Sequence, residues 1–493
     1  MIPLDGKHLS IDEAEQIALG NERVEVAKAA LRAVESSAQL VEKIVQEGQR
    51  AYGINTGFGK LSTVAISREQ LWQLQVNLLR SHACGVGEPL PEEVSRAALL
   101  FRLHSLLAGH SGVRPVVIEY LLQFLNRRVY PLIPSKGSVG SSGDLAPLAH
   151  LALLLIGEGH ARLDDHICSG AELLKRLDLQ PLKLAPKEGL ALINGTQISL
   201  AVGFIAWLKA KNLLQHAQLL ACLALEAVGG STDPLDERLH ACHPHPGQSQ
   251  VARDMRLTLA GSQLVNRSPD VQDPYTLRCA PQVLGACLEA LQFVQKKIEI
   301  EMNSVTDNPL LFPQTGEVLS GGNFHGEILA LAFEVLGMSL AQMGNFSERR
   351  TAFLLEHPAL PPFLIEKSGL HSGLMIPQYT AAALVSENKI FAHPAVVDSI
   401  PTSGGKEDYN SLASLCAWKA YQIAKNVEYI LAIELLTATQ ALDFRKTSQM
   451  APATRKAYER VREEIPHLSE DRLLQQDIER ARKIIRGEEL LHV

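Results

Sequence analysis

Cysteine is scarce in this chain of 493 residues. The seven present (Cys84, Cys168, Cys222, Cys242, Cys279, Cys287 and Cys416) are scattered and never spaced as C-x-x-C. That pattern excludes a disulfide framework and points to reduced thiols in a cytoplasmic protein. Positive charge is not in excess either: 47 Lys+Arg stand against 54 Asp+Glu, a formal net charge of −7. With no basic block, nucleic acid is not an expected partner. The apolar stretches, such as residues 212–225 between Lys211 and Glu226, read as too short for a bilayer span. The opening MIPLDGKH has no basic segment followed by an apolar one, so neither membrane nor export is expected. No phosphate-loop motif, no G-x-G-x-x-G after a strand and no H-E-x-x-H occurs, so no nucleotide cofactor is indicated. The run His240-Ala-Cys-His-Pro-His245 offers four borderline ligands in six residues. Adjacent ligands rarely converge without a bend, and two prolines favour an extended surface loop, so no metal is expected.

What is present is helical periodicity. Hydrophobic residues make up 46% and charged residues 20%, a globular balance. Ser10-Ile-Asp-Glu13 and Ser67-Arg-Glu-Gln70 read as capping boxes, each opening an amphipathic segment. Residues 197–228, 281–302, 327–346 and 412–442 read as long helices apolar on more than one face, which neighbouring helices must bury. Strand signals are sparse, the clearest of them in a Gly- and Pro-punctuated region from about 161 to 191. The tail after Arg455 is rich in mixed charge, and Ser469 followed by Leu473, Leu474 and Ile478 predicts a capped amphipathic helix. The fold class is therefore mainly α, a long-helix bundle over 194–493 with a charged helical tail. A smaller mixed α/β portion over 1–193 precedes it.

The unusual segment is Gly137-Ser-Val-Gly-Ser-Ser-Gly-Asp144. Its composition suits a flexible start to the following helix, with Asp144 as cap, or a nest of amides for an anion. A third reading is covalent. In Ser141-Ser142-Gly143 the Gly143 nitrogen can attack the Ser141 carbonyl carbon if the chain is sharply bent, and a Cβ at 143 would obstruct that approach. Loss of two waters then leaves 4-methylidene-imidazol-5-one, an electrophile made from the chain itself.

The segment GSVGSSGDLAPLAH (residues 137–150) resembles the signature of the aromatic amino-acid ammonia-lyase family. Further blocks in family order are Tyr52-Gly-Ile-Asn-Thr-Gly-Phe-Gly59, NLLRSHACGVGE (77–88), LINGTQ (192–197), VQDPYTLR (271–278), SGGNFH (320–325) and SIPTS (399–403). The resemblance implies a helical fold of the aspartase and fumarase type, a homotetramer, and a methylidene-imidazolone formed from Ser141, Ser142 and Gly143. It implies that Tyr52 is the general base on a lid loop with Gly53, Gly57 and Gly59. An unperturbed tyrosine titrates near pH ~10, so a base there needs a positive or dipolar neighbourhood. Arg278 matches the arginine that clamps the substrate carboxylate, with Tyr275 assisting proton transfer. Asn194 and Gln272 carry over as amide partners of substrate and ring, and Phe324 as ring packing.

Ser81-His82 resembles the histidine-type pair of the family, and Glu407 adds a second polar group for an imidazole. The implied reaction is elimination of ammonia from L-histidine, a small-molecule amino acid, to give trans-urocanate, the first step of histidine degradation. Alternatives are a lyase or aminomutase for tyrosine, phenylalanine or another aromatic amino acid, or a helical oligomer without catalysis. Five positions depart from the family pattern: Ser141 replaces the common Ala, Lys406 replaces Gln, Tyr409-Asn410 replaces His-Val, and Ala280 replaces a frequent Gln.

Overall fold

Apolar residues at spacings of three and four form helices through most of the chain, on a mainly α fold. The computed structural model describes residues 1–57, 66–487 and 489–491; Gly59 of the expected lid lies outside them. The chain opens with β1 (Ile2–Leu4), α1 (Ile11–Ala18), β2 (Val24–Val26), α2 (Lys28–Glu47), α3 (Leu71–His82), β3 (Val86–Pro89), α4 (Glu92–Leu107) and α5 (Pro115–Asn126). Next come β4 (Tyr130–Pro131), β5 (Pro134–Lys136), α6 (Leu145–Leu153), β6 (His160–Leu163), β7 (His166–Ser169), α7 (Gly170–Arg176) and α8 (Glu188–Ile193). The long helices α9 (Gln197–Val228) and α13 (Ala280–Met302) follow, with the shorter α10 (Glu237–Ala241), α11 (Pro246–Thr258) and α12 (Tyr275–Arg278) between them. A hairpin of β8 (Leu310–Phe312) and β9 (Glu317–Leu319) precedes α14 (Glu327–Glu356), α15 (Met375–Phe391), α16 (Ala413–Leu442), α17 (Pro452–Glu464) and α18 (Leu474–Arg486).

The four expected long helices are all present, and α14 continues a further ten residues past 346. Ser10 makes the full capping box with Glu13. Ser67 does not: a 3-10 turn at Arg68–Gln70 intervenes before α3, and the Ser67 hydroxyl bonds the Gln70 side chain at 3.2 Å instead of an amide. Helix α18 forms, but it starts at Leu474 with Leu473 at the cap position, so Ser469 lies too early to cap it. In 161–191 the strands are β6 and β7, and the remainder holds α7 and α8. The 240–245 run is not an extended loop: His240 ends α10 as a buried residue bonded to Gln248 and the Pro234 carbonyl, and Pro246 opens α11. Helix α14 is long and apolar enough by composition to cross a membrane, which run length alone overlooked; 61% of its apolar window is buried inside the protein.

The chain divides into two compact units. The first comprises Met1–Ile205, Lys296–Phe333 and Ala395–Trp418. All the strands lie here, as small ribbons: β1 pairs parallel with β2, β3 antiparallel with β5, β6 antiparallel with β4 and β7, and β8 with β9. Its central helix is α4, buried at every position from Val94 to Leu107 and packed on α1, α2 and α5. Helices α3, α6 and α8 pack against one another in the same unit.

The second unit comprises Ala206–Gln295, Glu334–Pro394 and Lys419–Val493. Its helices are apolar on most sides, and several of the charges buried inside it are paired. Arg350 and Glu434, both wholly buried, meet in a two-pronged ion pair of 2.5 and 2.9 Å. Lys419 pairs with Glu334 at 2.6 Å and Lys209 with Glu428 at 2.8 Å. Buried charges persist only with such partners.

Candidate active site

Three helices of the first unit end or begin at one place. Helix α3 ends on His82, α6 starts just after the Ser141-Ser142-Gly143 tripeptide, and α8 ends just before Asn194. Between α8 and α9 the chain passes through Gly195 at φ +134°. There it forms a bridge with Gly143, whose own φ is +74°. The Asp144 amide donates to the Gly195 carbonyl at 2.7 Å, and the Gly195 amide to the Ser142 carbonyl at 3.4 Å. A Cβ on Gly143 would sit 2.2 Å from the Gly195 oxygen, so no other residue fits. A bend with Ser141 and Gly143 bridged and no side chain at 143 suits the backbone cyclisation that the sequence suggests.

Asp144 occupies the cap position of α6, yet its side chain makes no capping bond. The buried carboxylate instead accepts from the Ser199 amide and hydroxyl, both at 2.7 Å, from Ser138 at 3.3 Å and from Ser414. Burial pushes its carboxyl up, and these hydrogen bonds pull it down. Deeper lies Arg102, wholly buried and without a salt bridge among the described residues. It donates to the carbonyls of Ala191 at 3.0 Å and Asn194 at 2.9 Å, and to the Gln197 side chain. A cation bonded to the last carbonyls of α8 complements the helix dipole. Burial lowers its pKa to about 10.

Above this floor is a cavity of about 730 Å³. Tyr52, Ser81, His82, Ser142, Asn194 and Glu407 line it, with apolar walls from Leu74, Leu78, Leu145 and Leu190. The Ser142 hydroxyl donates to Glu407 Oε1 at 2.9 Å, and Thr402 Oγ1 donates to Oε2 at 3.0 Å. Ser81 gives its one hydroxyl hydrogen to the Leu78 carbonyl at 3.1 Å, so at the 3.0 Å contact with His82 Nδ1 the imidazole is the donor. That leaves Nε2 as an acceptor. Burial lowers the His82 pKa, against the pull of the Leu78 carbonyl and Glu407, and favours this neutral ring. Asn194 is buried, with Oδ1 unpartnered.

The structure thus brings Tyr52, His82, Ser142, Asn194 and Glu407 to one cavity, with Ser141 and Gly143 adjoining in the chain. Gly53 is buried in the same turn as Tyr52, and Gly57 is buried just beyond it. Phe324 is half-buried before α14 and does not line the cavity; Lys406 is exposed and does not line it either. Gln272, Tyr275 and Arg278 belong to the second unit. Gln272 and Tyr275 are exposed, and the Arg278 guanidinium stacks 4.6 Å from the Tyr275 ring. Arg102, Ser199, Ser414 and Thr402 escaped sequence reasoning. For Arg102 the available signal was a charge inside a largely apolar helix, and for Thr402 its place in the SIPTS block; the serines carry none.

A family model described as aromatic amino acid lyase matches residues 9–463. Histidine ammonia-lyase of Natranaerobius thermophilus is 47% identical over 490 residues, 98% of this chain and 97% of that protein. Histidine ammonia-lyase from Trypanosoma cruzi superposes with a TM-score of 0.93 at 39% identity, covering 100% of this chain and 94% of the other. Tyrosine aminomutase from Streptomyces globisporus superposes with a TM-score of 0.95 at 36% identity, covering 100% and 98%. The chain belongs to the aromatic amino acid lyase family.

Proposed function

We propose that this carbon–nitrogen lyase eliminates ammonia from L-histidine to give trans-urocanate. The observation that carries the substrate is the cavity's pair of acceptors, His82 Nε2 and the Glu407 carboxylate. His82 Nε2 matches one imidazole N–H and goes unpaired against a benzene ring. Glu407 keeps Oε2 with Thr402, while Oε1, released when Ser142 loses its hydroxyl, meets the other ring nitrogen in its protonated form. Near-full-length identity to proteins named histidine ammonia-lyase supports the same choice.

The bend at Ser141-Ser142-Gly143 suits a self-made methylidene-imidazolone, which supplies an electrophile for the substrate amine. The remaining work belongs to side chains. Tyr52 takes the β-carbon proton inside a loop that excludes water. His82 and Glu407 orient the imidazole, and Asn194 bonds the polar atoms beside Ser142. The resemblance also implies a cytoplasmic homotetramer whose active sites combine residues of several subunits. On that reading another copy supplies Arg278 to clamp the carboxylate, Gln272 to bond it, Tyr275 to assist proton transfer and Phe324 to pack beside the ring.

The intact mass of purified protein tests the electrophile: a mass two waters below that of the sequence is expected, and an unshifted mass in active enzyme overturns it. Product analysis with histidine, tyrosine and phenylalanine tests the substrate. Urocanate from histidine alone is expected. A β-amino acid product would instead assign an aminomutase, the reaction named for the Streptomyces relative.

A further inference from the structure

We propose that Asn410 is a positioning residue that holds the Glu407 carboxylate in place through Thr402. The inference rests on the assignment of Glu407 to the substrate site.

Glu407 sits at the end of a tight loop. Its turn at Ser403–Gly405 runs through three consecutive residues of positive φ, +53°, +61° and +82°. Such a turn costs free energy at Ser403, which carries a Cβ, and needs ties on either side. Thr402 is one tie: it pairs antiparallel with Glu407, its amide donating to the Glu407 carbonyl at 2.8 Å and its hydroxyl to Oε2 at 3.0 Å. Asn410 is the other, and it is 2% exposed. Its amide nitrogen in the main chain donates to Ser399 Oγ at 2.7 Å. Its side-chain Nδ2 donates to the Ile400 carbonyl and, at 3.3 Å, to Thr402 Oγ1.

The direction of this chain of bonds is fixed by chemistry. The Ile400 carbonyl only accepts, so the edge of the Asn410 amide facing it must be the nitrogen. Thr402 has one hydroxyl hydrogen. With Asn410 donating to its oxygen, that hydrogen is left for Glu407, and donors in series strengthen one another. The two Glu407 oxygens are thereby divided: Oε2 is held by Thr402, and Oε1, which accepts from Ser142 only while that hydroxyl remains, is left for the cavity once dehydration removes it. Asn410 Oδ1 is buried without a partner, a cost that the residue carries for the sake of its two donor bonds. Valine, which the family pattern has at this place, donates nothing. This chain has therefore added a brace for Glu407 that its family pattern lacks.

The test compares N410V, T402V, T402S, E407Q and N410V/E407Q by kcat and KM for histidine, with melting temperature and intact mass measured on each. N410V is expected to lower kcat/KM on the order of tenfold, as loss of one directing hydrogen bond does, with the matured mass retained. T402V follows it, and T402S, which keeps the hydroxyl, recovers most of the loss. In the E407Q background N410V adds no further loss, because the group it positions is already altered. An undiminished kcat/KM in N410V, or an equal loss in both backgrounds, overturns the inference. Should N410V fail to fold, T402V against T402S decides, and equal activities there overturn it. Wild-type activity in E407Q removes Glu407 from the site, a failure distinct from an impaired E407Q beside an unaffected N410V.

Discussion

Gly195 is pressed from both sides: its carbonyl oxygen lies 2.2 Å from where a Gly143 Cβ would stand, and a Cβ of its own would meet Gln197 Oε1 at 2.5 Å and Thr306 Oγ1 at 2.7 Å. Gly195→Ala therefore pushes this strand into the tripeptide loop. Overpacking of this kind costs about 1–3 kcal/mol. The variant is expected to melt earlier and to keep the intact mass of an unmodified chain. A matured mass with normal turnover would show that the contact does not shape the loop.

On the proposed reading, His82 discriminates by offering an acceptor to the substrate ring. Replacing it with Leu leaves the apolar walls in place and removes that bond. For histidine, kcat/KM is expected to fall on the order of 10²-fold, in line with a strong hydrogen bond worth about 3 kcal/mol. Any trace activity on phenylalanine should hold or rise. Steady-state kinetics on both substrates measure the ratio; an equal fall on both would assign His82 to folding.

Arg350 and Glu434 are the most deeply buried ion pair of the second unit. Arg350→Met alone strands a carboxylate in the core and is expected to cost about 3–5 kcal/mol, read from urea unfolding. Adding Glu434→Leu removes the stranded charge and should recover most of that loss. A double variant as unstable as the single one would mean that the pair itself supplies stability.

Acid should weaken the fold before it touches most carboxylates. Burial lowers the proton affinity of His82, His104 and His150. Below their ordinary value of about 6.5 the unfolded chain binds protons that the folded one refuses. Stability therefore rises with pH through that window, and the loss is complete once pH falls below the folded values. His104→Gln is expected to flatten the slope of unfolding free energy between pH 5 and 7; an unchanged slope would place the proton uptake elsewhere.

Much of this was legible in residue order, because helix periodicity is local. The bounds of α9 follow from its apolar spacing alone, and the Ser10–Glu13 cap from four adjacent residues. Caps at Ser67 and Ser469 were not predictable, since each depends on where the first helical turn closes, which is at Leu71 after a 3-10 turn and at Leu474. The motif residues Tyr52, His82, Ser142, Asn194 and Glu407 were legible as a set, and the fold brings them to one cavity. Their supports were not. Ser199 and Ser414 are ordinary serines until folding places them on Asp144, and Thr402 is an ordinary threonine until the loop turns it toward Glu407.

Helix α4 has no side turned to water between Val94 and Leu107. Surface helices drift freely along their outer stripe, so substitutions in them are tolerated with a beat of three to four residues. Here that beat has nothing to rest on. Fourteen consecutive positions answer to the interior at once, and Arg96, Arg102 and His104 are bound among them as firmly as any leucine. Variation accumulating in this protein should therefore leave α4 as an unbroken block of constraint.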